Sequence, residues 1–165
     1  MSDESEVRME IKGLMLDPSS NLPIVILSDE DGQRRLPIWI GVFEANAIAL
    51  RLDGFEPPRP MTHDLLRSVF EHVGAEVERI VITDLRETTF YALIFAQQGD
   101  QELVLDARPS DALALAVRTG APIFVRSSVL EKAQAADRTA EVSDEEQLKK
   151  WLEDLSPDDL GKYTM

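Results

Sequence analysis

The chain opens on alternation. Val7-Arg8-Met9-Glu10-Ile11-Lys12 sets apolar and polar residues on opposite sides with a period of two, the pattern of a half-buried strand. Leu22 to Leu27 is a short β-branched run of the kind buried on both faces, and Leu36 to Ile40 is a third strand candidate. After Gly41 the period changes. Ala45, Ile48, Ala49 and Leu52 fall at i, i+3, i+4 and i+7, one face of a helix ending near Gly54. Leu66, Val69, Phe70 and Val73 predict a second helix, with Thr62 as its N-cap after the link Pro57-Pro58-Arg59-Pro60. Strand signals then return at Val77 to Thr83, Thr88 to Phe95 and Leu103 to Asp106. They are followed by a helix from Pro109 to Thr119, a stop at Gly120, and a last short strand at Ile123-Phe124-Val125.

The second half of this series resembles the first. A shift of 67 residues lays Asp17 on Asp84, Gly32 on Gly99, Glu44 on Asp111 and Arg51 on Arg118 without a gap. The helices agree best, Ala45 to Arg51 over Ala112 to Arg118, with small residues where a helix approaches a sheet closely. The pattern predicts an α+β fold: duplicated β-β-β-α units forming one mostly antiparallel or mixed sheet, with helices packed on it, in a single domain. The expected division is an acidic, disordered N-terminus at residues 1–7, the folded domain at 8–130, and an acidic tail at 131–165. In that tail Ser143-Asp144-Glu145-Glu146 is a capping box ahead of Leu148, Trp151, Leu152 and Leu155, a short amphipathic helix.

Composition narrows the chemistry. The absence of cysteine excludes disulfide scaffolds, thiolate zinc sites, iron–sulfur clusters and cysteine nucleophiles. The start is acidic and no apolar run approaches the roughly 20 residues that span a bilayer, so a cytoplasmic protein without membrane contact is expected. Thirty-one acidic residues against 17 basic give a net charge of -14, which repels nucleic acid at long range unless a local patch or metal ions intervene. Among the basic residues of 8–130, only Lys12 is a lysine. That bias towards arginine suits bidentate pairing with carboxylates or phosphates. No Gly-rich phosphate loop, HExxH or G-x-S-x-G element is present, so neither zinc nor a nucleotide cofactor is expected.

What remains is a carboxylate near each helix start: Glu44, Asp64 after Thr62-His63, and Asp111 within Arg108-Pro109-Ser110-Asp111. Capping accounts for each, because acids in a first turn oppose the positive end of a helix. The functional alternative brings Glu44, Asp64 and Asp111 together as hard oxygen ligands for Mg²⁺ or Mn²⁺. His63, Asp64, Asp111 and Glu44 are then the candidate catalytic residues, while Arg59, Arg108, Thr62 and Ser110 are candidates for holding substrate.

At these same residues the chain resembles a known family. Leu36-Pro37-Ile38-Trp39-Ile40-Gly41 with Glu44-Ala45, then Arg59-Pro60-Met61-Thr62-His63-Asp64-Leu65, then Arg108-Pro109-Ser110-Asp111-Ala112 with Leu115-Ala116, are similar to motifs of the bifunctional nuclease family, in the family's order. The likeness spans about residues 8–130 and continues at Leu155 to Leu160. It implies an α+β domain, a homodimer, and a nuclease acting on DNA and RNA; the acidic charge balance in turn predicts that nucleic acid is a weakly held, metal-assisted substrate. The acidity keeps a second class open, a non-enzymatic dimeric regulatory or protein-interaction module.

Overall fold

The computed structural model describes residues 5–139. In chain order the elements are β1 (Glu6–Leu16), β2 (Pro23–Ser28), β3 (Arg35–Trp39), α1 (Val42–Leu52), α2 (Thr62–His72), β4 (Ala75–Arg86), β5 (Thr89–Gln98), β6 (Gln101–Ala107), α3 (Pro109–Thr119), β7 (Ile123–Arg126) and α4 (Ser127–Thr139). The strands form one sheet in the order β3-β2-β1-β7-β4-β5-β6. Every neighbouring pair is antiparallel except β4 with β7, so the sheet is mixed and the fold is α+β. Each half runs as three strands and a helix, and the two strand triplets lie in mirror order on either side of β7.

Burial follows the patterns that predicted the elements. The unbroken apolar run of β2 is buried at every position: Val25 and Leu27 enter the main core, while Ile24 and Ile26 join Met15 in a separate cluster. Such two-sided burial is why β2 shows no alternation. Helix α3 is the hub, touching α1 and α2 on its flanks and β4 and β5 beneath. Leu113 and Leu115 are fully buried, each contributing roughly 1.5–3 kcal/mol relative to an exposed side chain. Buried Ala45, Ala47 and Ala49 of α1 and Ala112, Ala114 and Ala116 of α3 suit close helix packing; larger side chains in a filled core typically cost about 1–3 kcal/mol. Gly120 ends α3 in a left-handed conformation (φ 78°), donating its N–H to the Ala116 carbonyl at 2.9 Å.

Three expectations need correction. Thr62 is the first residue of α2 rather than its cap: Met61 holds the cap position, and its N–H donates to Asp64 Oδ2 at 2.9 Å. Asp64 therefore supplies the reach-back half of a capping box three residues into the helix. Strand β1 begins at Glu6, inside the segment expected to be disordered, because Glu6 pairs with Arg126 of β7. The expected boundary at 130 falls within α4, whose Val129 and Leu130 are buried in the main core. The amphipathic segment after Ser143 lies outside the described residues. Among the described residues no helix is long and apolar enough to cross a membrane.

Candidate functional site

The first turns of α1, α2 and α3 carry Glu44, Asp64 and Asp111. The helix packing gives these acids different partners. Asp111 accepts from Arg108 Nε at 2.8 Å and Nη2 at 3.1 Å, a fork across one carboxylate, and from His63 Nε2 at 2.9 Å. Arg108 Nη1 reaches Glu44 Oε1 at 3.1 Å, so the two acids that matched in the sequence shift meet on one guanidinium. Glu44 folds back over Gly41, where a Cβ would overlap its carboxylate. That close approach, and not backbone strain, is what glycine permits there (φ −72°).

Electrostatics keep the Asp111–Arg108 pair ionised. Burial pushes the Asp111 carboxyl up, but the bonds from Arg108 and His63 outweigh it and hold Asp111 below the usual carboxylate range. Asp111 in turn holds the Arg108 proton more firmly than usual. An ionised carboxylate only accepts, so His63 Nε2 carries the hydrogen of this bond and Nδ1 is left as the ring's other nitrogen. No described protein atom bonds Nδ1. His63 is largely buried, with 12% of its side chain exposed, whereas Arg108 is 64% exposed. His63, Arg108, Asp111 and Thr62 line a cavity of about 590 Å³ whose remaining wall is mostly apolar, from α2, β5 and β6.

Asp64 belongs elsewhere. Arg118, the one arginine of α3, is buried; its Nε donates to Asp64 Oδ1 at 2.7 Å, Nη1 to the Ala114 carbonyl at 2.9 Å and Nη2 to the Ala47 carbonyl at 3.0 Å. One guanidinium thus ties α3 to α1 and to the start of α2, one residue from His63. Burial pushes the Asp64 carboxyl up, and the Met61 N–H and Arg118 more than reverse it. Sequence reasoning passed over Arg118, although Asp111, Ala114, Leu115 and Arg118 fall at i, i+3, i+4 and i+7 on one face. A charge on an apolar helix face was the available signal.

The other expected substrate residues do not gather at this cluster. Arg59 is exposed and makes no hydrogen bond or ion pair with any described residue. Buried Ser110 lines a different cavity, of about 260 Å³, with Trp39, Thr89 and Arg108. The set Glu44, Asp64 and Asp111 does not fit a shared Mg²⁺ or Mn²⁺. Their oxygens are turned to Arg108, His63 and Arg118, and among the described residues no three His, Asp or Glu side chains group as metal ligands.

Fold and site together define an α+β protein with a His–Asp–Arg cluster opening on an apolar groove. Residues 25–138 match the model of the bifunctional nuclease domain, and the chain belongs to that family. An uncharacterized protein of Mycobacterium tuberculosis is 43% identical over 168 residues, covering 94% of this chain and 97% of that protein. Bifunctional nuclease 1 of Oryza sativa subsp. japonica is 31% identical over 70% of this chain, and bifunctional nuclease 2 of Arabidopsis thaliana is 30% identical over 61%. The matches cover 36% and 32% of those plant proteins.

Proposed function

We propose that the protein is a nuclease, a phosphodiesterase acting on DNA and RNA, with His63 as general base. Water beside Nδ1 gives up a proton to the imidazole while its oxygen bonds the phosphorus. The phosphorus–oxygen ester bond breaks, and the departing oxygen takes a proton from solvent. Asp111 fixes the tautomer and stabilises the imidazolium as it forms. Arg108, exposed, donates the N–H groups left on its two terminal nitrogens to the phosphate oxygens, while Asp111 and Glu44 hold the guanidinium in place. Asp64 acts as a positioning residue through Arg118. The single observation carrying this reading is the His63–Asp111 hydrogen bond beside an open cavity with Nδ1 unbonded. Mg²⁺ or Mn²⁺ enters only as a counter-ion accompanying the substrate's phosphates, which also offsets the -14 charge. The working unit in this reading is a homodimer, to be checked by light scattering on the eluted protein.

The test is cleavage of single-stranded DNA and RNA by purified protein, in chelator and with Mg²⁺ or Mn²⁺. Loss of the general base lowers the rate about 10²–10⁴-fold in His63→Ala. An inert parent, or a His63→Ala protein that cleaves as fast as the parent, removes this assignment. One observation favours the second reading, a non-enzymatic dimeric regulatory or interaction module: Arg108 is already matched by Glu44 and Asp111, so the cluster is satisfied without a ligand. That reading expects a partner protein in pull-downs and no cleavage.

A further inference from the structure

The cavity beside His63 is more apolar than a phosphate requires. Leu65, Leu66, Val69, Phe70, Ile94 and Leu105 line it, and its volume of about 590 Å³ lies within the roughly 300–1,000 Å³ of small-ligand sites. Leu65 and Val69 are 59% and 50% exposed, and Leu105 is 41% exposed, so the apolar surface is open to solvent. One wall is β6, the last strand of the sheet, whose outer edge of backbone N–H and C=O groups has no strand partner among the described residues.

Resting on the phosphodiesterase reading above, we propose that this cavity is a slot for one unpaired nucleobase and that the substrate class is single-stranded nucleic acid. A base has two apolar faces and a polar rim. Aliphatic side chains of α2 and β5 take the faces, and β6, which lines the cavity with Leu105, Asp106 and Ala107 and ends the sheet, takes the rim through its unpaired backbone edge. An alkyl chain fills the apolar part but leaves that edge unpaired. The phosphate attached to a seated base lies towards Arg108, which lines the same cavity and keeps N–H groups beyond those given to Asp111 and Glu44. Duplex bases are inaccessible inside their stack, and two phosphate rows meet more of the acidic surface than one strand does.

The experiment compares three substrates: a short single strand, the same strand annealed to its complement, and a strand of equal length made of abasic residues. The expected result is cleavage of the first about tenfold or more faster than either of the others, since each seated base contributes strongly to single-strand binding. Val69→Trp, and independently Leu105→Trp should the first fail to fold, bring the single-strand and abasic rates together by filling the slot. Equal rates on all three substrates with the parent overturn the slot and leave the nuclease intact. If nothing is cleaved, the nuclease reading fails and the slot is judged by methyl spectra. Nucleoside monophosphates then shift Leu65, Val69 and Leu105 while ribose 5-phosphate does not; unmoved methyls overturn it. A halved particle mass in Val69→Trp assigns the groove to a second copy and overturns it too.

Discussion

Replacing Arg118 by methionine keeps most of the side chain's volume and removes its charge. The guanidinium is 3% exposed and holds three acceptors on three helices. A hydrogen bond to a charged group contributes about 1.5–3 kcal/mol. The Ala47 and Ala114 carbonyls sit inside helices and keep their backbone partners, so their loss adds little. Breaking a fully buried ion pair costs about 3–5 kcal/mol, but Asp64 is 26% exposed and retains the Met61 N–H, which brings the expected cost of Arg118→Met to about 2–3 kcal/mol. With a urea slope of about 2 kcal/mol/M, the midpoint falls by roughly 1–1.5 M. Asp64→Asn keeps an acceptor for Met61 and strands the arginine instead. In the double variant neither charge remains unpaired, so the coupling in the cycle is about 1–2 kcal/mol. Arg118→Met within about 0.5 kcal/mol of the parent, or strict additivity in the cycle, refutes the clamp.

Gly41→Ala places a Cβ where the Glu44 carboxylate lies, at a backbone conformation any residue adopts. Glu44 is expected to swing off Arg108, leaving stability within about 1 kcal/mol of the parent by urea titration and, on the nuclease reading proposed above, changing the KM for nucleic acid more than the thermal midpoint. Asp17 is held far below the usual carboxylate range, first by the Trp39 indole N–H at 2.8 Å and then by Ser19 and Ser20. Its folded pKa is depressed, so its stabilisation is complete above about pH 4 and fades as pH falls below that; Asp17→Asn should flatten acid unfolding followed by Trp39 fluorescence between about pH 5 and 2. An unchanged acid limb counts against the contact. Glu87, in the turn between β4 and β5, has φ 56°, a left-handed conformation costing an ordinary L-residue roughly 1–2 kcal/mol. Glu87→Asn is expected to raise stability by about 0.5–1 kcal/mol in the same titration, and a loss sinks this account of the turn.

Much of the architecture was legible because periodicity reports burial directly. Pro109 to Thr119 came out at both ends, since proline at N1 and glycine past the C-terminus are local signals that need no tertiary partner. The start of α4 was missed: Ser127-Ser128 gives only a weak stop between β7 and a helix, and what orders it is burial of Val129 and Leu130 against the sheet. Thr62 was misplaced by one residue because Asp64 caps Met61 from within the helix. At the site, His63, Arg108, Asp111 and Glu44 were all selected from residue type and helix position, and they do lie together.

The sequence by itself determined which residues face inward, where α1 and α3 start and stop, which carboxylates stand in the first turns of α1, α2 and α3, and the family to which the chain belongs. Only the tertiary structure decided what each carboxylate does, because a first-turn acid looks the same in sequence whether it caps its helix, clamps a neighbour or orients a histidine. The choice is made by what approaches from outside the helix. Arg118 comes across from α3 to claim Asp64, while His63 at the start of α2 meets Asp111, and these contacts join residues 48 and 54 positions apart. Interactions of a few ångströms between elements so distant in the chain follow from how α1, α2 and α3 pack on the sheet, and no local pattern encodes them.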